Sequence, residues 1–106
     1  MIEISAQLAD VTFDGRSVTI SRKGAISRSV FGPGAQTVLP LSQISGIEWR
    51  NPSWARSGHI RFTTAGSQGG AARTPPNRDA NAILFSKKEM PAFEKLRLAV
   101  QDAISQ

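Results

Sequence analysis

The sequence predicts a mainly β domain closed by a single C-terminal α-helix: an antiparallel β-sandwich or partly open barrel that the helix caps. Three observations carry this. Short alternating stretches of apolar and polar residues recur from about residue 8 to about residue 86, and after Phe85 the period switches from that of a strand to that of a helix. The chain has 106 residues and 40% hydrophobic content, which supplies one modest core and not two. The whole chain, 1–106, is therefore expected to be one domain.

The first element is a hairpin in "ADVTFDGRSVTIS". Asp14-Gly15 suits a two-residue type I′ turn, which needs positive φ at both central positions. That turn sets Phe13 opposite Arg16, Val11 opposite Val18 and Ala9 opposite Ile20. Val11, Phe13, Val18 and Ile20 then share a buried face, and Thr12, Ser17, Thr19 and Ser21 the other. Upstream, "MIEIS" alternates Ile2 and Ile4 with Glu3 and Ser5, a strand for this sheet or for a second copy of the chain.

Residues 22–36, "RKGAISRSVFGPGAQ", lose any period and read as a connection. "TVLPL" resumes as a strand in which Pro40, lacking an N–H, marks a sheet edge or a strand end. In "QISGIEWRNP", Ile47 and Trp49 point inward, but Ile44 is out of phase with Ile47. Gly46 between them suits a bulge that restores the phase. "GHIRFTT" presents Ile60 and Phe62 to the core, leaving His59 and Arg61 on the solvent side, and "NAILFS" presents Ile83 and Phe85. Between these strands, residues about 66–81 are rich in Gly, Pro, Ala and Arg, the composition of a mobile loop. From about 91 to 105, Phe93, Leu96, Val100 and Ile104 recur at helical spacing, with Ala99 and Ala103 on the same flank. Pro91 suits the first turn, and Glu89 and Glu94 lie where the helix dipole favours anions.

Composition excludes several functions. With no cysteine, disulfide frameworks, thiolate metal sites and thiol nucleophiles are ruled out. There is no stretch approaching the roughly 20 apolar residues of a membrane-spanning helix, and the N-terminus lacks a basic start followed by an apolar run. A soluble cytoplasmic protein is the expectation. The net charge is +5, and nine of the thirteen cations are arginine, the better residue for planar capture of phosphate or carboxylate. These cations form no run longer than two, a spread that serves solubility.

Catalytic readings find little purchase. His59 is the chain's only histidine, and on the register above it faces water with no neighbouring acid in sequence, so neither a nucleophilic triad nor a metal site is expected. Only a pocket gathering His59 with a buried acid, for instance Asp79 or Glu48, would revive an enzyme, and no spacing here predicts one. "GPGAQT" lacks the third glycine and the helix of a dinucleotide loop, and "GSQGGAAR" lacks the Lys-Ser/Thr of a phosphate loop. No cofactor is expected.

The stretches "LPLSQISGIEWRNPS", "GHIRFTTAG" and "ANAILFSKKEMPAFEKLRLAVQDAI" together resemble the bacterial pleckstrin-homology-like domains, in particular a small actinobacterial and phage-borne type of unknown function. The resemblance covers about two thirds of the chain, from Thr37 to the end, and its motifs are structural ones. It implies a strongly bent, seven-stranded pair of sheets with one end capped by the helix. It also implies phosphoinositide binding, the best-known activity of eukaryotic members. This sequence departs there, because a loop made of Asp14-Gly15 is too short to wrap a head group and carries an acid at its tip.

The expectation is therefore a non-catalytic interaction or scaffold module that binds another protein, or itself. Its contact residues are expected to be Trp54, Arg56, Phe31 and Arg28, loop aromatics beside arginines, the residue types that dominate interface hot spots. The competing expectation is an anionic-ligand module for single-stranded nucleic acid or an acidic membrane surface. It would use Arg22, Lys23, Arg73 and Arg78, with Arg28 among them and Phe31 or Trp54 as a stacking platform.

Overall fold

In the computed structural model, which describes residues 1–24, 32, 34–64 and 80–105, the alternating stretches become two antiparallel sheets. Strands β1 (Ile2–Ser5), β2 (Ala9–Phe13), β3 (Ser17–Arg22) and β4 (Gln36–Pro40) form the first, in sequential order. Strands β5 (Ile44–Arg50), β6 (Gly58–Thr64) and β7 (Ala82–Phe85) form the second, with β6 at its centre. A 3-10 turn, Leu41–Gln43, carries the chain from one sheet to the other, and helix α1 (Met90–Ile104) closes the fold against β1, β5, β6 and that turn. The result is a β-sandwich capped by one helix, without a closed barrel. The opening segment is β1 of this sheet, with Ile4 opposite Val11.

The core is the one read from the alternation. Val11, Phe13, Val18, Ile20, Ile60, Phe62, Ile83 and Phe85 are buried, and α1 inserts Phe93, Leu96 and Val100, all fully buried. Ala99, Ala103 and Ile104 pack against its margin. Phe93 stacks on Phe85 with ring centroids 4.9 Å apart, and Phe85 meets Trp49 at 5.0 Å. Pro91 falls in the first turn of α1, where no intrahelical N–H is needed. Glu89, at the helix start, accepts from the backbone N–H of Ser86 (3.0 Å) and of Gln7 (2.7 Å), tying the helix to the β1–β2 turn. Pro40 is the last residue of β4, an edge strand, so its missing donor breaks no ladder.

Two local expectations are corrected. The β2–β3 turn is not a type I′ turn around Asp14-Gly15, because Phe13 pairs with Val18 and Val11 with Ile20, a shift of two from the expected partners. Gly15 alone has positive φ (+93°), and it occupies the first central position of a turn closed by the Asp14 N–H to Ser17 carbonyl bond (3.4 Å). Arg16 lacks the positive φ that a type I′ turn needs at its second central position. The Asp14 carboxylate accepts from the N–H groups of Arg16 and Ser17 (2.8 and 2.9 Å), an Asx turn that favours this placement. A two-residue shift keeps every side chain on its face, which is why the predicted core survives it.

The second correction concerns His59 and Arg61, expected in water and each only 5% exposed. Alternation assigns a residue to a face; it does not say whether that face is wet. Because β6 is the central strand, its outer face is flanked by Glu48 and Arg50 on β5 and by Ala82 and Leu84 on β7. The bulge at Gly46 is present: Ile44 pairs with Thr64 and Gly46 with Thr63, leaving Ser45 as the extra residue. Ile44 and Ile47 thereby both reach the core. A side chain at position 46 would lie 3.0 Å from Thr63 Oγ1, so glycine suits the bulge.

Candidate functional site

The connection between β5 and β6 is built to hold one large aromatic in water. Ser53 and Arg56 exchange two backbone hydrogen bonds (2.8 and 3.3 Å), closing a tight turn whose central residues are Trp54 and Ala55. At that tip Trp54 is 95% exposed. The base of the loop is tied at several points. Arg50 donates to the Ser57 carbonyl (3.2 Å), Trp49 Nε1–H donates to Asn51 Oδ1 (2.7 Å), and Pro52 is buried. Gly58 is the tightest point: a Cβ there would stand 2.5 Å from the Arg50 carbonyl oxygen and 2.7 Å from the Pro52 nitrogen. Only glycine lets the returning strand pass so close to its partner.

Beside the tip lies an open groove of about 310 Å³, lined by the loop and by Ser86 and Lys87 from the β7–α1 connection. Arg56 and Lys87 are exposed on its walls. Of the residues predicted for partner binding, Trp54 and Arg56 thus come together here, whereas Phe31 and Arg28 lie outside the described residues. Lys87 is an addition. No spacing in the sequence links it to the loop, since the two meet only through the packing of the second sheet.

The residues predicted for an anionic ligand are placed differently. Arg22 Nη2 donates to the carbonyls of Ala80 (2.8 Å) and Ala82 (2.6 Å), fastening the end of the first sheet to β7. Lys23 Nζ pairs with Asp10 (2.7 Å) and donates to Ser5 Oγ (3.2 Å), which holds the Asp10 carboxyl below the usual carboxylate range. Both cations are engaged within the chain. Arg73 and Arg78 lie outside the described residues, as does Asp79.

His59 does meet Glu48, a half-buried acid. His59 Nε2 lies 2.7 Å from Glu48 Oε2, and Arg61 Nε stands 3.8 Å from the same oxygen. Burial, with the Arg50 and Arg61 guanidiniums, holds the His59 pKa below its ordinary value. The imidazole is therefore neutral at pH 7, and the geometry assigns its Nε2–H as the donor to Glu48. Only Nδ1 is then left to act as a base. It is buried and contacts no hydroxyl among the described residues. The His59–Glu48 pair lies on the outer face of the second sheet, across the β5–β6 ladder. Among the described residues, no group of three or more histidine, cysteine or acidic side chains is placed to hold a metal ion.

Residues 11–101 match the family described as Domain of unknown function (DUF4429). The chain belongs to the DUF4429 family. The match begins inside β2 and ends within the last turn of α1, so it takes in β3 to β7, the Trp54 hairpin and most of the capping helix of this DUF4429 domain, and leaves β1 outside. No curated protein and no solved structure matches the chain. Among the described residues, no helix is long and apolar enough to cross a membrane.

Proposed function

We propose that this DUF4429 domain is a non-catalytic interaction module of pleckstrin-homology-like fold, acting in the cytoplasm, that binds another protein or a second copy of itself through the Trp54 hairpin. The observation that carries this reading is the exposure of Trp54 on a loop whose base is locked. Covering a tryptophan removes about 150–250 Å² from water, worth about 4–6 kcal/mol before the costs of association. A rigid loop keeps those costs low, because little conformational freedom remains to be lost. The seven described strands and the capping helix support the pleckstrin-homology-like assignment, together with the resemblance carried by "LPLSQISGIEWRNPS", "GHIRFTTAG" and "ANAILFSKKEMPAFEKLRLAVQDAI".

A photo-crosslinking amino acid at position 54, combined with light scattering on the pure protein, tests the reading. The expected outcome is a crosslinked protein or a self-crosslink that Trp54→Ala abolishes, without loss of folding. A strictly monomeric protein whose Trp54→Ala variant recovers the same partners as the wild type would overturn it. A tight, steeply salt-dependent complex with oligonucleotides that leaves Trp54 fluorescence unchanged would favour the loop arginines instead.

A further inference from the structure

Resting on the interaction reading above, we propose that the groove beside Trp54 takes an acidic segment of a partner protein: an extended stretch in which aspartate or glutamate side chains flank an apolar one. The argument is charge complementarity around an apolar anchor. Among the described residues that line the groove, the charged ones are Arg56 and Lys87, both exposed and both positive, and Lys88 follows at once in the chain. Neither Arg56 nor Lys87 makes a side-chain hydrogen bond or ion pair with another described residue. The nearest acid in the sequence, Glu89, has both carboxylate oxygens engaged: one accepts from the Gln7 N–H and the other from the N–H and hydroxyl of Ser86, itself a residue of the groove wall. Trp54 therefore shares the groove with two cations that no described carboxylate pairs with.

The shape selects the kind of occupant. At about 310 Å³ the groove is at the lower end of small-molecule pockets and open to solvent, so it cannot enclose most of a ligand's surface. An extended peptide, which leaves one side in water, fits that form. Arg56 offers a planar fork for a carboxylate and Lys87 a point charge, while the indole face covers the intervening apolar side chain. A nucleic-acid track would need further cations in line with these two. Arg22 and Lys23, the described candidates for it, are engaged elsewhere.

The test uses the full chain and labelled peptides of about ten residues, in which Asp and Glu flank Leu or Phe, beside copies carrying Asn and Gln. Anisotropy should show the acidic peptides binding tenfold or more tightly than their amide copies, with the preference shrinking between about 50 and 500 mM salt. The double variant Arg56→Glu/Lys87→Glu, changed only at exposed positions, should keep its Tm, lose the acidic peptides by tenfold or more, and gain Lys-flanked ones. That swap is a readout which a merely structural role would not produce. If amide copies bind as well as acidic ones and Trp54→Ala still abolishes binding, the acidic partner is wrong while the interaction reading stands. Absence of peptide binding together with absence of any crosslink from position 54 would remove both. Binding to phosphatidylglycerol vesicles, reversed by the double variant, with no selective peptide binding would replace the acidic peptide with a membrane surface.

Discussion

The base and the tip of the β5–β6 hairpin use the same residue types to opposite ends. At the base, Trp49 is packed against Phe85 on one side and lies under the Arg97 guanidinium, 4.5 Å from its ring centre, with its N–H bonded to Asn51. Nearby, His59 and Arg61 are buried around Glu48. A few residues along, Trp54 and Arg56 stand free in solvent on a turn held shut by its own backbone. Aromatic, arginine and tight geometry occur in both places, so residue type does not decide exposure. Position relative to the neighbouring strands does: Trp49 lies within β5, whereas Trp54 lies on the loop between β5 and β6. The base stabilises the fold, and the tip leaves Trp54 uncovered by it.

The largest effect expected on this contrast comes from beneath the base. Phe93→Ala removes the ring stacked on Phe85 and should destabilise the domain by about 3–5 kcal/mol; urea unfolding followed by far-UV circular dichroism measures it. Gly58→Ala comes next, because its Cβ would meet backbone atoms of Arg50 and Pro52 that cannot yield without opening the loop. A loss of about 2–4 kcal/mol is expected, together with broadened resonances for residues 51–57 in heteronuclear spectra. A variant as stable as the wild type would show that the loop is not braced there.

Glu48→Ala leaves the His59 Nε2–H and the Arg61 guanidinium without their shared carboxylate and should cost about 1–3 kcal/mol, read from the urea midpoint at pH 7.5. The pH dependence follows from the same couple. The folded-state pKa of His59 lies below its unfolded value, so the unfolded chain binds a proton more readily. The stability that the neutral imidazole contributes is fully present above about pH 6.5 and is lost as pH falls through the folded pKa. His59→Gln should flatten that slope, and an unchanged slope would show that His59 does not titrate with unfolding. The smallest effect on stability belongs to the tip: Trp54→Ala should change the unfolding free energy, measured in urea, by no more than about 0.5 kcal/mol while abolishing the crosslink from position 54. A large destabilisation there would mean that the indole serves the fold after all.

The strands, the bulge at Gly46 and the apolar stripe of α1 were legible because each is written in a local period or a local glycine. The core residues Val11, Phe13, Val18, Ile20, Ile60 and Phe62 were legible for the same reason, even where the hairpin register was off by two. Trp54 and Arg56 could be nominated from loop composition. Their companion Lys87 could not, because it arrives from a distant connection. The Glu48–His59 contact was equally hidden. Which strand flanks which is a property of sheet order, and sheet order leaves no mark in the alternation of a single strand.

The sequence by itself determined where strands and helix lie and which side chains face inward, since backbone period and apolar spacing act between near neighbours. Tertiary structure alone decided that the outer face of β6 is dry, that Arg22 fastens one sheet to the other, and that Lys87 comes to stand beside Trp54. Those outcomes depend on strands and connections far apart in the chain being packed together. Burial and charge neighbourhood are set by that packing and by nothing the separate segments carry.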